Sequence, residues 1–178
     1  MEHLVHNISP IYDKNSTKLI LGTFPSPKSR ETNFYYGNKQ NRLWKILAEV
    51  FSEKIENNNE AKIIFLLKHK LAMWDLIAEC DIEGAEDSTI KNIKPNDLKQ
   101  ILDKAKIKTI YTTGKTAFKL FQSLCAEKYG MDAIYLPSPS PANCAISFAD
   151  MIKAYEVLKP LNKNYTLKSD TSFDKTPI

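Results

Sequence analysis

Residues 18–26 read KLILGTFPS. Three consecutive large aliphatics, Leu19, Ile20 and Leu21, run into Gly22, and Pro25 blocks continuation of the same backbone conformation. The stretch therefore predicts a buried strand that enters a turn. Downstream, residues 25–40 are polar and irregular around Phe34, Tyr35 and Tyr36. They predict a long loop, and loops of that length inside a domain are usually functional. Asn41 then opens a helix as its N-cap, with Leu43, Trp44, Leu47 and Phe51 at helical spacing. The run Asn57-Asn58-Asn59 ends that element, and residues 60–69 read best as a further helix. Leu71–Ile77 reads as the next strand, residues 81–95 as a second long connection, and Asn96 as the start of a short helix to about Ala105. A strand over Lys108–Thr112, a helix over Lys115–Lys128 and a strand over Ala133–Leu136 follow. Pro137–Asn143 is a proline-rich turn. Ser147 and Asp150 have capping-box spacing before an apolar helical pattern through Leu158, and Pro160 ends it.

Strands alternate with helices, which points to a three-layer α/β/α fold around a largely parallel sheet. Ligands of such sheets bind beyond the carboxyl ends of the strands. The loops after Leu21, after the strand holding Trp74 and after Leu136 are expected to converge there on one crevice. With 178 residues the chain has room for one domain, assigned to residues 1–160, followed by a polar extension over 161–178. That extension reads as a surface segment or a disordered one. The composition, 43% hydrophobic and 26% charged, is that of an ordinary globular protein. No run of apolar residues is long enough to span a membrane, and the first residues do not form a secretory leader. A cytoplasmic, intracellular location is expected. Twenty-five basic against 21 acidic residues leave +4, which permits a polyanionic partner without demanding one. Cys80, Cys125 and Cys144 are odd in number and form no CxxC. They read as reduced cysteines packed as small hydrophobes. His3 and His6 are close, but nothing nearby completes a metal site. No metal or cofactor is expected.

Several familiar chemistries are excluded. Thr113-Gly114-Lys115-Thr116 looks like the end of a P-loop, but its first glycine position is Thr109. Gly114 reads instead as a tight strand-to-helix bend. There is no G-x-G-x-x-G and no G-x-S-x-G, and the three histidines lie outside the expected loops, so a histidine-driven hydrolase is not indicated. Three clusters remain. Gly22-Thr23-Phe24-Pro25-Ser26 is a rigid turn with an aromatic ring, which either lines a site or packs in the core. Tyr35–Trp44 (YYGNKQNRLW) gathers aromatic faces, amides and cations that suit recognition of a nucleobase. The structural alternative makes Tyr35 and Tyr36 core plugs, Asn41 a plain N-cap and Trp44 a core anchor. Leu136–Asn143 (LPSPSPAN) alternates prolines with small polar residues. It is either a rigid phosphate-contacting loop or a structural turn.

In this order, LILGTFPS at 19–26, YYGNKQNRLW at 35–44, LAMWDLI at 71–77, EDSTI at 86–90 and LPSPSPAN at 136–143 resemble the uracil-DNA glycosylase superfamily. The nearest resemblance is to its hypoxanthine-DNA (deoxyinosine) glycosylase branch, and it extends over residues 5–160. It implies a four-stranded parallel sheet and an enzyme that flips a deaminated or mispaired base out of DNA and hydrolyses its N-glycosidic bond. It also implies a base pocket made by Gly22, Thr23, Phe24, Pro25, Ser26 and Tyr36, with Phe24 stacking on the base. The mismatch-specific branch carries a catalytic asparagine where this chain has Phe24. In the hypoxanthine branch the asparagine of an N-x-F-W segment takes that role, which falls on Asn41, with Leu43 in place of the aromatic. Ser26 stands where the family has glycine. Ser138, Ser140 and Asn143, with Lys39 and Arg42, are implied DNA contacts. Lys28, Arg30 and Lys115 are further candidates for a positive face. Damaged or mismatched DNA is the expected partner of a monomeric, monofunctional enzyme acting on hypoxanthine, with xanthine or uracil as further substrates. The alternatives are a uracil or G:U/T mismatch glycosylase, a non-catalytic DNA- or nucleotide-binding domain of the same fold, and an α/β protein with an unrelated small ligand.

Overall fold

A computed structural model describes residues 1–84 and 86–161. Four strands, β2 (Lys18–Gly22), β3 (Leu71–Asp75), β6 (Thr109–Thr113) and β7 (Ala133–Leu136), form a parallel sheet in the order β3-β2-β6-β7. Every residue of β3 is buried, as are the last four of β2. Burial at consecutive rather than alternate positions means both faces of the sheet are covered, which is the three-layer arrangement. Leu19, Ile20 and Leu21 are wholly buried, and each contributes about 1.5–3 kcal/mol of apolar burial. Among the helices, α2 (Leu43–Phe51) packs on α7 (Phe148–Tyr155), α3 (Asn59–Lys68) on β3, and α5 (Lys115–Leu124) on β6 and β7.

The sequence reading differs from this fold at three places. Residues 25–40 are not all loop, because α1 (Pro27–Thr32) lies within them. Ser26 is its N-cap, accepting from the Ser29 N–H at 3.2 Å, and Pro27 occupies the first turn, where its missing N–H costs nothing. The strand beginning at Leu71 stops at Asp75, and residues 77–95 are largely extended rather than a connection. There β4 (Ile77–Ile82) pairs antiparallel with both β1 (Glu2–Val5) and β5 (Lys91–Pro95). This second sheet was hidden because β1 and β5 mix polar and apolar residues without a clear alternation, so their pairing with β4 rather than their own apolar content fixes them. The helix read over 115–128 is broken at Cys125 into α5 and α6 (Ala126–Tyr129). The short helix after Asn96 is α4 (Lys99–Leu102). Leu161 is exposed, and the rest of the C-terminal extension lies outside the described residues.

The two sheets meet beside the end of β2. The Leu76 and Ile77 N–H groups donate to the Gly22 and Thr23 carbonyls at 2.9 and 3.1 Å, which anchors β4 to the turn after β2. Phe24, Ile77, Cys80 and Ile82 form a small second core under that turn.

Candidate active site

A crevice of about 810 Å³ opens at the carboxyl ends of the parallel strands. It lies within the size range of small-molecule and nucleobase sites. All three expected loops reach it: residues 23–27 after β2, residues 86–88 of the connection beyond β3, whose last residue Asp75 also lines it, and residues 138–143 after β7. Asn41, Tyr36 and Asn38 supply a further wall. Gly22, Thr23, Phe24, Pro25, Ser26, Tyr36, Asn41, Ser138, Ser140 and Asn143 are thus brought together, as the sequence clusters anticipate.

The floor follows from strand register. Gly22 pairs with Asp75 across the β2–β3 ladder, so the Asp75 carboxylate lies beside the glycine. A Cβ on Gly22 would overlap that carboxylate and would come within 3.2 Å of the Tyr36 hydroxyl. Glycine is required here for close approach, not for its backbone angles. Asp75 is only 6% exposed, and its Oδ2 accepts from His6 Nε2, itself 2% exposed, at 2.9 Å. The Ile8 N–H donates to His6 Nδ1 at 3.3 Å, which leaves the ring proton on Nε2, facing the carboxylate. His6 reaches this position because β1 pairs with β4 and the His6 N–H continues that pairing to the Ala78 carbonyl at 2.7 Å. Asp87 also lines the crevice, near Asp75 and Thr23. Desolvation, and then the charge of Asp75, push its carboxyl above the ordinary aspartate range, against the hydrogen bonding of the Thr23 side chain.

Tyr36 adopts a left-handed backbone, φ 52°, unusual for an aromatic residue. Its hydroxyl is 2.9 Å from Thr113 Oγ1, which donates in turn to the Leu21 carbonyl at 3.4 Å. Burial, and then Asp75, raise the Tyr36 pKa, so the phenol stays neutral and donates. Phe24 is 9% exposed and belongs both to the crevice wall and to the second core. The Arg30 guanidinium lies 5.9 Å from its ring centroid and His6 meets it edge-on at 6.0 Å. Both readings of Phe24 therefore hold: it packs in a core and presents a rim to the site. Tyr35 is a core residue, with its hydroxyl donating to the Ser9 carbonyl at 2.8 Å, and Trp44 donates its indole N–H to the Tyr35 carbonyl at 3.2 Å.

Asn41 has two uses as well. The N-cap of α2 is Arg42, with no side-chain cap bond, and not Asn41 as the sequence suggested; Asn41 sits one residue earlier, where its Oδ1 accepts from the Leu43 N–H at 2.9 Å, yet the residue also faces the crevice. A carbonyl oxygen has two lone pairs, so one remains for a further donor, and the amide N–H groups remain for an acceptor. Arg42 is placed differently from the expected DNA contact. Its Nη1 and Nη2 donate to the Ile146 and Asn143 carbonyls at 3.0 and 2.8 Å, and its backbone N–H donates to the Pro139 carbonyl at 3.0 Å. It staples the proline-rich loop to the start of α2. Within that loop Asn143 Nδ2 donates to the Ser138 carbonyl at 2.9 Å, and the Ser140 N–H donates to Ser138 Oγ at 3.3 Å. Gly114, at φ 98°, lets the loop close, because a side chain there would approach the Ser138 Cβ to 3.3 Å. Lys39 is exposed and lines an adjoining groove with Lys45, Lys62 and Trp44, not the crevice itself. Lys28 pairs with Glu31 at 2.9 Å, and Lys115 is exposed. Among the described residues, no group of three or more His, Cys, Asp or Glu side chains is placed to hold a metal ion.

The residues that sequence reasoning missed are Asp75, His6, Asp87 and Thr113. Asp75 carried a usable signal, as an aspartate at the end of an otherwise apolar strand. His6 carried none without the β1–β4 pairing.

Residues 9–159 match the family model of the Uracil DNA glycosylase superfamily. A curated protein of Methanosarcina acetivorans named hypoxanthine DNA glycosylase is 30% identical over 135 residues, which are 75% of this chain and 84% of that protein. A Methanosarcina barkeri protein of the same name is 30% identical over 136 residues, 75% of this chain and 85% of its own. A solution NMR structure from M. acetivorans, titled as a uracil DNA glycosylase, superposes with a TM-score of 0.72 at 26% identity. The match covers 86% of this chain and 97% of that one.

Proposed function

The chain belongs to the uracil DNA glycosylase superfamily, and we propose that it is a monofunctional glycosylase that hydrolyses the N-glycosidic bond of deaminated purines in DNA, hypoxanthine first. The observation that carries this reading is the convergence of Asn41, Phe24 and Ser138 on one crevice, where the amide of Asn41 keeps a free lone pair. The names of the two Methanosarcina relatives support the choice of hypoxanthine.

The base is flipped from the duplex, at a cost of a few kcal/mol that is least at a mismatch. Phe24 and Tyr36 wall the bound base. As the C1′–N bond lengthens, the sugar becomes cationic and the base anionic. The N–H groups of Thr23, Phe24 and Ser26, which have no acceptor among the described residues, would stabilise the departing charge. Asn41 holds a water through its free lone pair for addition at C1′. An amide is a weak base, so its task is positioning, and the cationic sugar accepts a neutral water. Water oxygen bonds to C1′, the glycosidic pair leaves with the base, and the water proton ends on the base or in solvent. Ser138, Ser140 and Asn143 offer polar groups to the DNA backbone from a loop that Arg42 holds rigid.

The test uses labelled duplexes with one hypoxanthine, xanthine, uracil or mismatched thymine, and alkali cleavage at the resulting abasic site. Release of hypoxanthine is expected. Release of uracil or thymine alone would move the activity to another branch, and salt-sensitive DNA binding without release would make the chain a binding domain. Asn41→Ser belongs in the same assay, because a serine hydroxyl can still accept from the Leu43 N–H but cannot reach the water.

A further inference from the structure

A second groove, of about 430 Å³, adjoins the crevice and shares Tyr36, Asn38 and Asn41 with it. Its floor is apolar, made by Trp44 and Ala48 of α2 and by Ile55 beyond that helix. Its cations are Lys39, Lys45 and Lys62, and no carboxylate is among the lining residues. Lys62 reaches in from α3. Its ammonium stands 5.2 Å from the Trp44 ring centroid and 5.8 Å from that of Phe34, and it donates to Asn57 Oδ1 at 3.3 Å. The two rings are stacked on each other at 6.0 Å, so together they hold a half-buried ammonium in one place. Burial lowers its pKa, because the charge has lost water without gaining an anion. Lys45 stands in the first turn of α2, at the positive end of the helix dipole, where a lysine is unfavourable and no acidic residue offsets it. Among the described residues none of the three lysines forms an ion pair, and Glu56, next to Ile55 in sequence, is taken by Lys54 at 2.8 Å.

On the reading that a flipped nucleotide enters the crevice, we infer that this groove takes the deoxyribose-phosphate backbone of the same DNA strand, beside that nucleotide. The groove continues the crevice through Tyr36, Asn38 and Asn41, so a strand whose base is held in one passes directly into the other. The apolar floor suits the carbon face of deoxyribose, and the three ammonium groups suit its phosphates. A free inorganic anion would leave the floor unused. An acidic protein segment would match the cations but would have no tie to the crevice. A lysine ammonium is a point charge that meets a phosphate without reading a base, so the groove contributes affinity and register rather than base choice. Lys62 is already held by its rings and loses little freedom when a phosphate arrives. The consequence is an asymmetric footprint, with the backbone contacts of α2 and α3 falling on one side of the lesion.

The test compares Lys45→Gln, Lys62→Gln and the double variant with the native protein for affinity to a hypoxanthine duplex across a salt series. A pair of neutral methylphosphonates is then moved along the lesion strand on either side of the hypoxanthine. Each single variant should reduce the slope of log K against log salt by about 1, and the double variant by about 2. In the native protein the methylphosphonate pair should reproduce that loss at one position on one side of the lesion, and at that position the double variant should lose no more. Lys62→Arg keeps a cation over the two rings and should keep the native slope, which separates the phosphate contact from the packing of the groove. A native slope in the double variant, or equal losses in native and double variant at every methylphosphonate position, overturns the groove as a backbone site while leaving base release intact. The position-specific loss without any base release by the native protein overturns the glycosylase reading and leaves the groove standing.

Discussion

Replacing Arg42 separates two roles that its sequence position allows. In the structure the guanidinium makes two hydrogen bonds, to the Asn143 and Ile146 carbonyls at 2.8 and 3.0 Å. Hydrogen bonds from a charged donor contribute about 1.5–3 kcal/mol each. Both acceptors belong to half-buried residues that water can reach once the side chain is gone. The lower end of that range applies, and Arg42→Ala should cost about 2–4 kcal/mol in urea unfolding. For a domain of this size each kcal/mol lowers the melting temperature by about 2–4 °C. Base release should fall with it, because the loop carrying Ser138 and Asn143 loses its tie to the start of α2. The salt dependence of DNA binding should not change in slope. Lys39→Ala is the opposite case, an exposed cation beside the crevice. It should leave stability within about 0.5 kcal/mol and reduce the slope of log K against log salt by about 1. If Arg42→Ala were as stable as the native protein and lost one unit of salt slope, Arg42 would be a phosphate contact and the staple argument would be wrong.

Gly22→Ala places a methyl against the Asp75 carboxylate and the Tyr36 hydroxyl. It should cost about 1–3 kcal/mol by overpacking and reduce base release roughly hundredfold by displacing the floor; a variant with native activity would show that the floor does not touch the base. Asp87 has a carboxyl pKa raised by desolvation and by Asp75. Its contribution to folding is full below the unfolded aspartate pKa of about 3.9 and is lost as pH rises through the higher folded value. Asp87 is exposed at the crevice mouth, so solvent screens most of this effect: Asp87→Asn should gain no more than about 0.5 kcal/mol at pH 7 and nothing at pH 3, as read by urea midpoints; a gain of equal size at both pH values would rule out the carboxylate as its source. Ser26→Ala removes the cap of α1 and should cost about 0.5–2 kcal/mol, whereas Ser26→Asp should retain native stability.

The parallel sheet was legible because β2 and β3 are apolar at consecutive positions and β6 and β7 follow clear turn signals. The antiparallel sheet was not, since Lys91–Pro95 (KNIKP) has little apolar content and is held by its partner strand. The helix after Ser26 was legible in principle: a serine followed by proline is a strong start signal, but its short, polar sequence gave no apolar period to complete it. Within the site, the residues named from the sequence occupy loops that converge on the crevice, because those loops leave the ends of strands. What escaped was the floor. Asp75 is placed by its register with Gly22, and His6 by a strand pairing 75 or so residues distant in sequence. Arg42 escaped for another reason: a cation in a loop has the same composition whether it meets a phosphate or two carbonyls.

The central claim is that Asn41 positions the water for base release. The most direct measurement is the single-turnover rate on a hypoxanthine duplex with enzyme in excess, for the native protein, Asn41→Ala and Asn41→Ser, with DNA affinity measured in parallel. The account predicts that both variants bind DNA within a few-fold of native but release the base on the order of 100-fold more slowly or worse. Native rates in Asn41→Ser would contradict it, leaving Asn41 as the local acceptor of the Leu43 N–H and placing the chemistry elsewhere in the crevice.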